Sequence, residues 1–273
     1  MPELPDLEVM REFLSGALPG QEVVRVEVGR PFVVRDLVGQ PAGVALVGRR
    51  VSAVRRHGKF LWLEFGEGLS LVINPKLAGR LAWREAGSKM LASTILVLGF
   101  ASGPGLHYVD PKDMGQVYIV ASPAQVPGFG SQGPDALDPA LTPELFAARL
   151  RPYRGEIKGV LTTQECVAGI GNAYADEILF RAGISPFKKR TRLTSEETAR
   201  LYEAMREVLA WAIACIRERV GSDMGVEVRD FLRVHRKGGQ PCPVCGSAIS
   251  ELTARQRVTS FCRHCQPGTL VRN

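Results

Sequence analysis

Four cysteines near the end of the chain constrain its folding more than any other feature. Cys242-Pro-Val-Cys245 and Cys262-Arg-His-Cys265 bracket sixteen residues. Each pair offers two thiolates through a tight turn, and the chain between them is long enough for a hairpin that gathers both pairs around one tetrahedral metal. Gly246 suits the turn, and Ala248 to Leu252 and Val258 to Phe261 are expected as the two strands. One structural zinc on Cys242, Cys245, Cys262 and Cys265 is therefore expected, and such a closed site leaves no position for chemistry. Unligated surface cysteines are the bland alternative. Arg255, Arg257, Arg263 and His264 offset the negative charge of the thiolates and can also face phosphate. The other two cysteines, Cys166 and Cys215, fall in helical patterns and read as small buried apolar residues.

A chain of 273 residues can build two modest domains or one large one. Six cysteines are too few for a disulfide scaffold at this length. Lys and Arg outnumber Asp and Glu by 35 to 28, a net charge of +7 that favours a polyanionic partner. No run of about eighteen apolar residues lacks a charge. The charged, proline-containing start does not resemble a secretory leader. A soluble cytoplasmic protein without a membrane partner is expected. No glycine loop of the Rossmann or Walker type appears, which argues against small-molecule nucleotide chemistry.

The pattern divides the chain. Leu4 to Leu14 reads as a helix closed by Leu18-Pro-Gly20, with Leu4, Leu7, Met10 and Leu14 on one face. Short β-rich runs follow: Glu22 to Val28, Val44 to Val54, Lys59 to Phe65, Leu69 to Ile73, Arg80 to Trp83, Leu91 to Phe100, Leu106 to Val109 and Gln116 to Val120. No long amphipathic helix separates them, so an antiparallel sandwich is expected. Residues 122–142 lack a period and read as a linker. Helices are expected over Pro143 to Leu150, Arg154 to Leu161, Gln164 to Ala168, Ala173 to Ala182 and Ser195 to Arg219, with Thr194 and Glu197 forming a capping box for the last. The resulting division is 1–121, a linker over 122–142, a helical domain over 143–236 and a four-cysteine finger over 237–273.

Two segments carry chemistry. In Met1-Pro-Glu-Leu-Pro-Asp-Leu-Glu8, loss of Met1 would free the ring nitrogen of Pro2. An N-terminal amine titrates near pH ~8, so a useful fraction is uncharged at neutral pH and can attack an electrophilic carbon. Glu3 sits one peptide unit away, close enough to move its proton. The bland reading is that Pro2 and Pro5 stiffen a helix entrance that Asp6 and Glu8 complement. In Gly169-Ile-Gly-Asn172, two glycines allow a tight turn and expose amides at the next helix start, where a phosphate can dock. Asn172 is expected to cap that helix. Packing alone would also explain the glycines.

Together these segments resemble the formamidopyrimidine-DNA glycosylase and endonuclease VIII family of base-excision repair enzymes. The Pro-Glu start, the Arg56-His-Gly-Lys59 turn, Asp110-Pro111, the Gly-Ile-Gly-Asn turn and the finger carry the resemblance over nearly the full length. It implies an α+β multidomain fold, with an N-terminal helix and β-sandwich followed by a helix-two-turn-helix domain and zinc finger. It also implies a bifunctional glycosylase and abasic-site lyase acting on double-stranded damaged DNA, associated with the chromosome; a chain with its own core in each half is expected to be a monomer. By resemblance, Pro2 is the nucleophile at C1′, Glu3 moves protons, Lys59 contacts phosphate and supports catalysis, and Asn172 and Arg257 clasp phosphates around a flipped nucleotide. Flipping makes the attack reachable, because an amine cannot approach C1′ properly inside a stacked duplex.

Departures bear on substrate choice. Asp6 stands where the family usually has Glu. Asn74-Pro-Lys-Leu-Ala-Gly79 replaces a His-Leu-Gly-Met-Ser-Gly pattern and puts Leu77 at the wedge position. Asp110-Pro-Lys-Asp-Met-Gly115 puts Asp113 where an arginine fills space beside the orphaned base, and Met114 in place of its aromatic companion. Leu77 and Met114 can still insert into a stack. Asp113 would be repelled by phosphate unless it accepts from a cytosine amino group. The segment Val220 to Asp230 lacks the Gly-Gly-Thr-Thr-like opening of the family's lesion-covering loop. Two alternatives stay open: an abasic-site lyase with little base excision, and a catalytically silent reader of damaged DNA.

Overall fold

Helix α1 (Leu4–Ala17) begins where Pro5 can join the first turn without leaving a bonded N–H missing. Leu7, Met10 and Leu14 recur on one buried face and enter the core of the first unit. The structure, a computed structural model, describes residues 1–220, 224–254 and 257–268. Its chain divides into two compact units, Met1–Ser131 with Ile216–Val228 and Gln132–Cys215 with Arg229–Asn273.

Among the described residues of the first unit, nine strands form two sheets. One has the order β1 (Val23–Val28), β7 (Thr94–Phe100), β8 (Gly105–Val109), β6 (Arg80–Arg84). The other has the order β2 (Val34–Asp36), β9 (Gln116–Val120), β5 (Leu69–Asn74), β4 (Phe60–Phe65), β3 (Val51–His57). Leu96, Leu98 and Leu106 from the first sheet share one core with Leu63, Leu71 and Ile119 from the second. The outer face of β4, β5 and β9 is covered as well: Val126 and Phe129 pack over Phe60, Val72 and Tyr118. The start of the period-free segment therefore lies against the sandwich.

Two expectations for this unit need correction. Val44 to Val54 is not one strand, because the chain forms a short helix α2 (Ala42–Leu46) led by Pro41, turns, and enters β3 only at Val51. The sandwich is not wholly antiparallel either, since β2, which the sequence did not reveal, pairs parallel to β9.

The second unit is helical, with α3 (Pro143–Leu150), α4 (Ile157–Leu161), α5 (Asn172–Ala182) and α6 (Ser195–Val220), the last continuing into the first unit's segment. Thr194 and Glu197 form the expected capping box: the Glu197 N–H donates to Thr194 Oγ1 at 3.2 Å and the Thr194 N–H to Glu197 Oε2 at 3.0 Å. Residues 164–168, expected as a helix, are turns. The Gln164 amide replaces helical bonding by donating to the carbonyls of Thr162 (3.0 Å) and Ile170 (2.8 Å) and accepting from the Gly169 N–H (2.9 Å). That one side chain sets the turn leading into α5. Strands β10 (Ser250–Ala254) and β11 (Arg257–Phe261) form the finger hairpin. Among the described residues, no helix is long and apolar enough to cross a membrane.

Candidate active site and metal centre

Pro2 and Glu3 lie buried at the head of α1. The Glu3 backbone N–H donates to Asp6 Oδ2 at 2.8 Å, and the pair completes a reciprocal capping box. The short carboxylate at position 6 thus reaches the helix entrance. Farther along α1, Glu8 accepts from Arg11 Nη2 and from Arg56 Nε, each at 2.6 Å. Arg56 in turn donates to the Gly58 carbonyl at 3.0 Å. Gly58, at φ +55, opens the two-residue turn between β3 and β4, where primed hairpin turns need a left-handed backbone. Lys59 is the next residue. The helix carrying Pro2 and Glu3 is therefore tied through Glu8 and Arg56 to the turn carrying Lys59. Burial alone would raise the Glu8 carboxyl, but the hydrogen bonds and charges of Arg11 and Arg56 outweigh it and hold the group below its ordinary value.

The Met1 ammonium meets Glu227 Oε1 at 2.9 Å, and Glu227 Oε2 meets Arg80 at 2.5 Å. With Met1 in place, Pro2 is an amide; the secondary amine exists only after trimming. Of the segment between Val220 and Asp230, residues 221–223 lie outside the described residues, as does Arg255. Met224 is buried in the sandwich core.

Leu77, Asp113 and Met114 come together at one end of the five-stranded sheet. Pairing of Asn74 with Gln116 sets the turn after β5 beside the turn before β9. Leu77 is 43% and Met114 49% exposed. Both turns close over the buried Tyr108, and a Cβ on Gly79 or Gly115 would overlap its hydroxyl oxygen. Burial pushes the Tyr108 phenol far above its ordinary value, with the Asp110 charge adding to the shift. Asp113 has a left-handed backbone, φ +51, and its carboxylate faces the Arg30 guanidinium at 3.7 Å.

In the second unit Asn172 does not cap α5. Gly171, in an extended conformation, is the capping residue, which leaves Asn172 as the first helical residue. Its Nδ2 instead donates to the Val258 carbonyl at 2.8 Å, beside the exposed Arg257. Lys158 donates to the same carbonyl at 2.7 Å and to Thr259 Oγ1 at 2.9 Å, and its ammonium lies 2.7 Å from Asp176 Oδ1. Asp176 Oδ2 meets His235 Nδ1 at 2.7 Å and accepts from the Ser260 N–H at 3.1 Å. Glu177 accepts from the N–H groups of Arg233, Val234 and His235 at 3.0, 2.9 and 2.8 Å. Burial pushes its carboxyl up, against the pull of those three donors. The sequence reading missed this network. Its signal was present as a lone lysine in Ile157-Lys-Gly-Val-Leu161 and two adjacent acids amid the apolar residues of α5.

The four expected thiols converge. Cys242, Cys245, Cys262 and Cys265 offer sulfurs all within 4.8 Å of one another. The Cys245–Cys262 and Cys242–Cys265 separations are 3.4 and 3.8 Å. Tetrahedral ligation with zinc–sulfur bonds of about 2.3 Å requires sulfurs about 3.8 Å apart. The cluster fits a metal ion of that size and preference.

Comparison with known proteins agrees with this layout. The family model of the formamidopyrimidine-DNA glycosylase N-terminal domain matches residues 1–117, that of its H2TH domain residues 132–222, and that of a zinc finger found in FPG and IleRS residues 239–268. The helix-headed sandwich, helical unit and four-thiol finger thus define a class, the multidomain DNA glycosylases. Formamidopyrimidine-DNA glycosylase of Moorella thermoacetica is 38% identical over 92% of this chain and 94% of its own length. That of Pelotomaculum thermopropionicum is 32% identical over 97% and 99%. Among solved structures, Lactococcus lactis Fpg in complex with an abasic site containing DNA superposes with a TM-score of 0.87 at 29% identity, covering 97% of this chain and 100% of that one. MutM in complex with carbocyclic 8-oxo-G containing DNA gives 0.87 at 29% identity, covering 98% and 100%. The chain belongs to the formamidopyrimidine-DNA glycosylase family.

Proposed function

We propose that this chain is a bifunctional DNA glycosylase and abasic-site lyase that excises oxidised or ring-opened bases from double-stranded DNA. The observation that carries this reading is the Pro2–Glu3 pair at the head of a helix that is braced, through Glu8 and Arg56, to the turn holding Lys59. After trimming, the Pro2 nitrogen lone pair attacks C1′ of the flipped nucleotide. The glycosidic bond breaks and the base leaves with a proton. The amine loses its own proton as the sugar ring opens, which gives an iminium. Glu3 moves protons at these steps. The iminium acidifies C2′, so loss of a C2′ proton expels the 3′ phosphate. A second elimination expels the 5′ phosphate, and hydrolysis regenerates Pro2. No redox partner is needed.

Lys59, Asn172 and Arg257 contact phosphate, while Leu77 and Met114 fill the stack that the flipped nucleotide leaves. Asn172 serves the finger as well, since its amide is bonded to the Val258 carbonyl next to Arg257. One zinc on Cys242, Cys245, Cys262 and Cys265 orders the hairpin that presents Arg257. The protein acts as a monomer, and its charge of +7 makes binding fall with salt.

Borohydride trapping tests the reading. The Met1-trimmed protein is incubated with duplexes carrying an abasic site, 8-oxoguanine, ring-opened guanine or thymine glycol. A covalent adduct on a lesion-base duplex, altered or lost in Pro2→Gly and Glu3→Gln, is the expected result. An adduct confined to the abasic duplex would reduce the activity to a lyase. Lesion-specific binding without any adduct would leave only a reader of damage.

A further inference from the structure

The register of the five-stranded sheet brings a third turn to the end where Leu77 and Met114 sit. Val34 of β2 pairs with Val117 of β9, so the 3-10 turn Pro31–Val33 lies level with the residues just before Gln116. Phe32 in that turn is 66% exposed, more than Leu77 or Met114. A phenyl ring left in water forgoes a large apolar contribution to folding, and Pro31 beside it restricts the backbone. The turn is tethered at its start. Arg30 donates to the Ala92 carbonyl at 2.8 Å, and its Nε lies 3.7 Å from Asp113.

The neighbourhood is cationic. Burial and the nearby Arg35 guanidinium both lower Lys76, so two positive groups stand close together at this edge. The Arg30 pairing also accounts for the carboxylate at 113, since a guanidinium beside it cancels the charge that would otherwise repel a phosphate.

We propose that the turn Arg30–Val33 is a third DNA-reading element of this rim: Phe32 stacks on the base left unpaired opposite the lesion, and Arg30, aimed by Asp113, donates to that base's edge. An aromatic face and a guanidinium, the two groups absent from positions 114 and 113, are thereby supplied from a different segment. A stack of this kind is sequence-tolerant, whereas donation to a base edge discriminates between bases. The inference rests on the glycosylase reading above.

Its test is binding to a duplex with a tetrahydrofuran abasic analogue opposite each of the four bases, beside the intact duplex. Phe32→Ala is expected to weaken lesion-duplex binding by about tenfold while leaving intact-duplex binding unchanged. Phe32→Trp is expected to keep affinity and to lose indole emission on binding, relative to the wild-type signal. Arg30→Gln is expected to flatten the preference among opposite bases. Should Phe32→Ala fail to fold, the Phe32→Trp emission decides. Affinity within twofold for Phe32→Ala, with unchanged Phe32→Trp emission, would overturn the stacking role. An unchanged opposite-base preference in Arg30→Gln would overturn the reading role. Wild-type protein that binds no lesion duplex and traps no abasic site would instead overturn the glycosylase reading, and this inference with it.

Discussion

The two units hold their functional residues by opposite means. In the first, a large apolar core fixes α1 and the strands, and the candidate groups sit at the head of α1, on the Lys59 turn and on the rim turns. In the second, the finger hairpin has few apolar residues to bury. Val234, Ile249 and Phe180 cluster with the cysteines, the Phe261 ring meets Phe187 edge-on, and buried polar groups add to the attachment. Lys158, Asp176, Glu177 and His235 are largely buried and bonded to β11 or to the segment just before the finger. A small element that cannot build its own core is held by buried charges and, on the proposal above, by metal ligation. A sandwich can leave its rim side chains Leu77 and Met114 exposed because its stability lies elsewhere.

Metal removal should break this contrast most sharply. Structural zinc in small fingers contributes on the order of 10 kcal/mol, so stripping the proposed zinc should melt β10 and β11 and abolish tight DNA binding while leaving the sandwich intact. Hydrogen exchange reads both regions at once. Equal loss of protection in β4 and β5 would show that the units do not differ in this way.

A smaller effect is expected from Asp176→Ala, which removes the carboxylate 2.7 Å from the buried Lys158 ammonium and should cost about 3–5 kcal/mol. Urea unfolding should report it, with exchange increasing around α5 and β11 and not in the sandwich. A loss below about 1 kcal/mol would mean that the buried charges are spectators.

The smallest effect should come from Glu8→Gln, about 1–3 kcal/mol from the weakened bonds to Arg11 and Arg56. The Glu8 carboxyl is held below its ordinary value in the folded chain, so it binds a proton more readily when unfolded. Its contribution is therefore present above the unfolded value and is lost as pH falls through the folded one. The melting temperature of Glu8→Gln should converge on that of the wild type at acid pH. A constant gap down to pH ~3 would refute the linkage.

Much of this was legible in the chain, for particular reasons. The cysteine spacing, the α1 face and the Thr194–Glu197 box are local, and their geometry follows from a few consecutive residues. Where tertiary bonding replaced local preference, sequence reasoning failed. Gln164 bonds the turn that its own segment's helical pattern concealed. Asn172 has a capping residue's chemistry but is drawn to Val258, eighty-six positions away. β2 has only three residues, too few for a period to show. The pairing of Arg30 with Asp113 joins two turns far apart in sequence, and nothing near either residue announces it.

The hydroxyl of Tyr108 also governs the order in which this chain can change. That single oxygen is the floor of the turn ending at Gly79 and of the turn ending at Gly115. An alanine at 115 meets that oxygen first, with the ring carbon bearing it and Asp110 Oδ2 each at 3.0 Å, whereas an alanine at 79 also meets the Pro75 carbonyl oxygen at 2.7 Å, so a phenylalanine at 108 relieves the first position and not the second. Position 115 is thus tied to a change at 108, while position 79 is held to glycine by the backbone of its own turn as well.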